Sequence, residues 1–509
     1  MKSARGVSFT LSFLMMLSKP LGYVRTLIIA WAFGTSAGID AYHVANVIVA
    51  LFAEGLGIAI ESAVLPEMVR VRKELGDESG SRALLAVITR IVFFLTVLLC
   101  AAFAIAPGVL IRIFASGFDA ERIRMGAVMI WCLLPFTVTT MTRPLAGTWA
   151  LFNEKYTLSS ICGMAFNFVA IPTLLLLIPV IGVYSVAVCM SAANLVTLSI
   201  FLVSLRGVPV RTPVSLIPPG SLSKVGLNVL FSLLITSSGT LYLLVDRYFA
   251  SRLPAGSVAA IGYGGSILLI MNAAVLSPLS FFLAKISRLV TENLDEAENA
   301  VRQSVALAIA YILPACFIAA AAARPLISLV YGWGNFDARS VDMTATCLAG
   351  YSLGMVFAVG CNILYRFAQA RQRLGRITPL LYVSVCVNAL LNWILVTRFG
   401  LLGLALATSL AQIISFVIYY KSMMGYPLGR FLIRSKFFHQ LALVSVCAIL
   451  TWKSGGFGAA AQCAAAVALF AAYLFAAEAA GFMPHVPEHW RPKSLLAFLS
   501  SSLRSFAKN

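Results

Sequence analysis

The chain has 509 residues, 60% of them apolar and only 11% charged, and its Lys and Arg outnumber its Asp and Glu 38 to 19. A water-soluble protein carries about a quarter of its residues as charges, so a set of soluble domains is excluded. The excess of +19 does not read as nucleic-acid binding, because it is confined to particular loops.

Apolar runs recur from end to end, each long enough to cross about 30 Å of hydrocarbon. About fourteen spans are expected, near 7–33, 41–69, 84–112, 125–150, 158–180, 182–205, 225–251, 259–284, 303–331, 342–365, 377–397, 400–420, 437–452 and 458–482. The fold class is therefore all-α, a polytopic membrane protein. Lys2 and Arg5 ahead of the first run resemble a signal peptide, but Lys19 and Pro20 interrupt that run and no small-residue cleavage site follows. The run is read as a retained helix. Basic residues gather in alternate loops, RVRKELGDESGSR (70–82), RFAQARQRLGR (366–376) and the tail after 483. This positive-inside pattern places both termini in the cytoplasm. The last stretch, SLLAFLSSSLRSFAKN (494–509), reads as a basic amphipathic surface helix or a frayed end.

An internal duplication organises the chain. GFDAERIR (117–124) returns as NFDARSVD (335–342), each after an apolar span carrying Pro107 or Pro325. Phe118 and Phe336, Asp119 and Asp337, and Ala120 and Ala338 share that offset, while a slightly longer one relates Tyr42 to Tyr263, Asn167 to Asn388 and Gly182 to Gly403. A near-constant offset held across several spans marks a repeat. The expected organisation is two pseudo-symmetric six-helix lobes, 1–205 and 225–420, joined by a cytoplasmic linker at 206–224, then two further helices within 421–482 and a cytoplasmic tail at 483–509. Pro209, Pro213, Pro218 and Pro219 prevent a helix from running through the linker.

Charges inside the spans are the candidate functional residues, since each costs about 2.5–3.5 kcal/mol at a helix centre and needs a wet cavity or a partner. The first span carries Lys19 and Arg25 with Pro20 and Gly22 between them to loosen the helix. The second begins at Asp40 and carries Glu54 and Glu61, seven residues apart and so on one helical face. The seventh holds Asp246 and Arg247, which suit an ion pair with neighbouring spans. Arg90 and Arg143 lie near predicted span ends, where long side chains snorkel to the surface. Lys19 and Arg25 either pair with Glu54 and Glu61 or hold an anion, and together they can neutralise a pyrophosphate. The ten cysteines, Cys100, Cys132, Cys162 and Cys386 among them, are scattered singly and read as packing residues. His485 and His489 are i,i+4, but the prolines of PHVPEHW oppose a zinc-binding helix, so no metal is expected.

At these residues the chain resembles the MurJ/MviN family of the MOP (MATE-like) flippase superfamily. The resemblance covers nearly the whole length and is most specific in LSKPLGYVRTLIIAWAFGTSAGIDAYHVA (17–45), FAEG (52–55) and SAVLPE (62–67), and looser in GYGGSI (262–267) and GLLGLALATSL (400–410). It implies a flippase for lipid II, the undecaprenyl-pyrophosphate-linked peptidoglycan precursor, carried from the cytoplasmic to the periplasmic leaflet of the bacterial inner membrane. It also implies that Lys19, Arg25, Asp40 and Glu54 hold the positions of the family's cavity residues. The chain departs from the family at Lys19, at Thr26, at VIVAL (47–51), where an arginine is usual, and at YGGSIL (263–268), where another is; Arg143 or Arg247 are the candidate replacements.

The leading reading is thus a flippase of lipid II by alternating access, with lipid-linked exopolysaccharide or O-antigen units as the alternative cargo and a MATE-like cation or drug antiporter as the less favoured class. An enzyme is not expected: membrane glycosyl- and phosphotransferases need clustered carboxylates or a catalytic His in a sizeable loop, and the loops here are short and basic or proline-rich. The expected substrate-binding set is Lys19, Arg25, Asp40, Glu54, Glu61 and Arg247. The expected partners are the lipid-linked glycan, membrane lipids and other cell-envelope synthesis proteins, with no nucleic acid and no cofactor. Because the expected cavity keeps cations, coupling to the membrane potential or to a monovalent cation is expected.

Overall fold

The computed structural model describes residues 20–155, 157–204, 214–484, 486 and 491–494, without the side chains of 157–160, 204, 214, 272–285 and 457. Lys19, the start of the linker and the expected tail helix lie outside the described residues. Two compact units divide at Ala259 and Ala260.

In the first unit, α1 (Pro20–Phe33) leads to α2 (Ala37–Val49), a five-residue π turn (Ala50–Glu54) and α3 (Gly55–Leu75). Gly76, in the left-handed region at φ 75°, ends α3, and Arg72 and Lys73 in its last turn complement the helix dipole. Then come α4 (Ser79–Ile105), the short α5 (Pro107–Phe114), α6 (Ala120–Cys132) and α7 (Leu134–Phe152), with α6 and α7 bent by 44° into one broken span. The antiparallel pair α8 (Thr157–Ile181) and α9 (Ser185–Ser204) follows, with α10 (Ser221–Ala250) after it. α10 packs along α3: Ser62 donates to Ser232 at 3.0 Å, Thr236 to the Gly55 carbonyl at 3.3 Å and Arg70 to Ser221 at 3.0 Å. A lobe defined by sequence repetition and a unit defined by packing are different objects, and α10 is where they part.

α11 (Ser257–Glu292) starts at the end of the first unit and continues into the second, which holds α12 (Leu294–Ala321), α13 (Ala323–Tyr331), α14 (Ala338–Ala370), α15 (Leu374–Met423), the short α16 (Leu428–Arg434), α17 (Phe437–Lys453) and α18 (Ala459–Ala479). At 1.5 Å per residue, the 50 residues of α15 would far exceed the bilayer as one rod. Gly400 breaks it at φ 55°, ψ −129°. The chain doubles back there, so that the Ser384 and Tyr419 hydroxyls meet at 2.8 Å and Ser415 donates to Ser384 at 2.8 Å. α14 presents Gly350 and Gly354 to this second arm, where Ser409 donates to the Gly350 carbonyl and accepts from the Gly354 N–H, at 2.7 and 2.9 Å. This is the small-residue packing that brings membrane helices close. Among the described residues nine helices are long and apolar enough to cross a membrane, and the bent pair makes ten. With α1, α11 and reversals at Gly182 and Gly400, this order accommodates the expected fourteen crossings.

The duplication is written in the backbone. Asp119 caps α6 by accepting from the Arg122 N–H at 2.9 Å, and Asp337 caps α14 by accepting from the Ser340 N–H at 2.8 Å. Glu154 (φ 61°) and Gln372 (φ 53°) end α7 and α14 at the same offset. So do Gly182 and Gly400, both at φ 55°. The expected pairing of Gly182 with Gly403 is therefore corrected: the residue that must turn left-handed is Gly400, and only the backbone angle tells it from the neighbouring glycine.

Candidate functional site

The site grows from three irregularities in the helices of the first unit. The π turn at Ala50–Glu54 inserts a residue into the second span, a device common at functional positions because it re-aims the side chains beside it; Glu54 ends it and is exposed. Past it, Gly57 brings α3 against α7, where a Cβ would lie 2.8 Å from the Thr140 carbonyl and 3.1 Å from Pro144. Pro144, inside α7, has no N–H to give the Thr140 carbonyl. Arg143 stands at this crossing. Gly147, next on the same face, leaves room for Glu61, whose Oε1 lies 3.6 Å from where a Cβ would be.

Two cavities result, both walled by the first unit. The larger, about 370 Å³, is lined by Arg25, Asn46, Glu54, Thr140, Arg143 and Asn194 among others. The smaller, about 280 Å³, is lined by Glu61, Arg143, Lys155 and Cys162. Arg143 belongs to both. Each cavity sets two cations against one carboxylate, and among the described residues none of these five charged groups makes an ion pair within 4.0 Å. Arg25 lies 5.3 Å from the centre of the Phe166 ring, a cation–π contact, and its buried Nη1 has no hydrogen-bond partner among the described residues. A buried guanidinium nitrogen without a partner is costly, which makes the larger cavity receptive to an anion.

Of the expected substrate-binding residues, Arg25 and Glu54 share the larger cavity and Glu61 lines the smaller. Asp40 lines neither: it is fully buried and accepts from the N–H groups of Gly256 and Ala259 at 2.6 and 2.7 Å, capping the buried N-terminus of α11. Arg247 is buried, electrostatically coupled to Asp40 and His43, with Nε and Nη1 unpartnered among the described residues. It too lines neither cavity. Arg143, expected to reach toward a span end, is exposed and lines both cavities beside the close crossing at Gly57 and Pro144. Arg90 does turn outward, exposed, with Nε donating to the Ala86 carbonyl at 3.4 Å. The neutral polar lining, Asn46, Thr140, Asn167 and Asn194, was missed by a search for charges. Their signal is weaker than that of the arginines, since a neutral polar side chain costs far less to bury than a charge.

The family model described as Lipid II flippase MurJ matches residues 29–458, beginning just past Arg25. A Burkholderia cenocepacia protein named lipid II flippase MurJ is 25% identical over 413 residues, covering 78% of this chain and 79% of its own. An Aquifex aeolicus protein named probable lipid II flippase MurJ is 25% identical over 473 residues, covering 87% and 90%. Among solved structures, a lipid II flippase MurJ in an inward closed conformation aligns with a TM-score of 0.75 at 18% identity, over 91% of this chain and 98% of that one. An inward-facing multidrug-resistance MATE transporter of the MOP superfamily aligns with a TM-score of 0.69 at 14% identity, over 79% and 93%. At such identities the structures speak to the fold alone. The matched length of the family model carries the assignment: the chain belongs to the lipid II flippase MurJ family.

Proposed function

We propose that this chain carries lipid II across the bacterial cytoplasmic membrane by exposing its larger cavity to one face and then the other, and that Arg25 and Arg143 take the pyrophosphate there. The observation that supports this most is the pairing of two cations with one acid in a cavity where a buried Arg25 nitrogen lacks a partner. A pyrophosphate supplies bidentate acceptors for guanidinium groups. Lys19, which precedes Pro20 in the sequence, joins them in this reading. Glu61, Arg143 and Lys155 form a second stopping point for the same headgroup. Asp40 serves by fixing the start of α11, and Arg247 by balancing Asp40. Both termini face the cytoplasm, and the cycle draws on the membrane potential, with Glu54 and Glu61 as the acids on which a coupled monovalent cation would act. The MATE-like fold is compatible with drug export, but a cationic drug needs an acidic cavity, and the sign here is opposite.

The test is translocation of fluorescent lipid II in liposomes holding only the purified full chain. The double variant Arg25→Ala, Arg143→Ala should lose transport at least tenfold, since losing the partner of a desolvated charge costs about 2–5 kcal/mol. Unaltered transport at normal protein levels would end the anion-site reading. Transport of another polyprenyl-linked glycan but not lipid II would leave the site and change the cargo.

A further inference from the structure

At one end of the second unit, where α12 begins and α14 and α15 finish, lies a cation cluster that the transport reading does not use. Glu298 is the acid between two arginines: its Oε2 lies 3.9 Å from Arg302 Nη1 and its Oε1 3.9 Å from Arg371 Nη1. Both separations are too long for hydrogen bonds. A third cation, Arg434 of α16, and Arg302 both approach the Tyr426 ring, at 5.8 and 4.8 Å from its centroid. Two guanidinium groups therefore share one carboxylate, and a third shares the Tyr426 ring with one of them. Burial and the charges of Arg373 and Arg376 press the Arg371 guanidinium below its ordinary value, opposed by Glu298.

Two hydroxyls complete the cluster. Tyr420 is 1% exposed and lies in the electrostatic neighbourhood of Arg302, Glu298 and Tyr426. Neither its hydroxyl nor that of Tyr426 has a hydrogen-bond partner among the described residues. Arg371 Nη1 donates to the Met423 carbonyl at 3.2 Å, so the donors left without an acceptor are the two buried hydroxyls, and a phosphate held by the neighbouring arginines supplies one. The side chains beside it are apolar and open, Ile433 at 69% exposure and Phe438 at 59%, as suits a position where acyl chains meet headgroups. Basic pockets between membrane helices at a basic face hold anionic headgroups.

We infer that Arg302, Arg371 and Arg434, with the Tyr420 and Tyr426 hydroxyls, form a binding site for a phosphate group presented by an anionic lipid headgroup. The site is independent of the cavities of the first unit and of what they carry.

The experiment is thermal unfolding of the purified full chain in detergent, titrated with phosphatidylglycerol, phosphatidylcholine or inorganic phosphate. Phosphatidylglycerol should raise the midpoint and phosphatidylcholine should not. Tyr420→Phe removes a hydroxyl with no protein partner and Arg434→Gln alters an exposed side chain, so both should keep the lipid-free midpoint. Each should weaken phosphatidylglycerol roughly tenfold, the effect of one hydrogen bond to a charged group. Equal response to the two lipids, or undiminished affinity in both variants, would overturn the site. Displacement of the lipid by inorganic phosphate at matched ionic strength would overturn the headgroup assignment and leave free phosphate as the occupant, whereas failure of inorganic phosphate to compete supports the headgroup.

Discussion

At Arg143 the first unit places a cation between two cavities; at the position related to it by the offset of Asp119 and Asp337, the second unit has Cys361, a buried thiol directed at the Gln412 carbonyl at 3.8 Å. The spans carrying the two residues, the bent pair α6–α7 and the continuous α14, begin alike, under aspartate caps of nearly equal geometry, and end alike, in Glu154 and Gln372 of positive φ. Their interiors differ. The helices of the second unit are closed by neutral hydrogen bonds, Ser384 with Tyr419 and Ser415, Ser409 with Gly350 and Gly354, Asn392 with the Asn388 carbonyl. The first unit leaves Arg25, Glu54, Glu61 and Arg143 around open space. A duplicated backbone thus keeps its turns and caps because every copy needs them, while interior side chains are free to divide into a copy that packs and a copy that binds.

Exchanging the two related residues is the sharpest way to break this contrast. Cys361→Arg buries a cation with no acid to meet it, at a cost of about 3 kcal/mol or more, and should remove folded protein from the membrane when assayed by size-exclusion chromatography of detergent extracts. Arg143→Cys, facing a cavity, should leave the folded amount intact and abolish lipid II transport. A well-folded, active Cys361→Arg protein would show that the second interior is not sealed.

Ser409→Ala probes the neutral network at a smaller scale. It removes the hydroxyl that bonds both the Gly350 carbonyl and the Gly354 N–H of α14 and should lower stability by about 1 kcal/mol, with transport per folded molecule unchanged. A transport defect without loss of stability would mean that the α14–α15 contact takes part in the cycle.

An equally small effect tests the likeness instead of the difference. Asp119→Ala and Asp337→Ala should each cost about 1 kcal/mol, and by similar amounts. The Asp119 carboxylate is held below the ordinary value of 3.8 chiefly by the Arg122 N–H, and the Asp337 carboxylate by the Ser340 hydroxyl and N–H. Because the folded values are depressed, the stabilisation is present above about pH 4 and is lost as the pH falls through the lower folded values. Unfolding midpoints should therefore separate the wild type from Asp119→Asn or Asp337→Asn at neutral pH and converge in acid. Unequal costs for the two caps would show that the repeats have diverged even in their turns.

Much of this architecture is local and so was legible in advance. Aspartate before a helical run, proline near the start of a short helix and apolar length against bilayer thickness each act within a few residues; Asp119, Asp337, Pro107 and Pro325, read as landmarks of the repeat, stand at the starts of α6, α14, α5 and α13, where spans expected at 84–112 and 303–331 are broken. The charged members of the cavities, Arg25, Glu54 and Glu61, were also visible because a charge in an apolar span announces itself. Their neutral companions Asn46, Thr140 and Asn194 line the same wall and carry no such cost, so a search by charge passed over them.

The sequence by itself determined the membrane class, the helical repeat, the turn residues and the likeness to a family, all consequences of hydropathy and short-range hydrogen bonding. Only the tertiary structure decided which way the polar groups face. Asp40, alike in kind to Glu54, closes the N-terminus of α11 because Gly256 and Ala259 come to lie against it. Arg143, near a span end like Arg90, lines two cavities beside the point where Gly57 and Pro144 let α3 and α7 touch. The tertiary structure likewise chose Gly400 over Gly403 for the reversal and set α10 against α3. A helix makes its own backbone bonds wherever it lies, so its sequence specifies where it starts and stops; what its faces meet depends on partners distant in the chain.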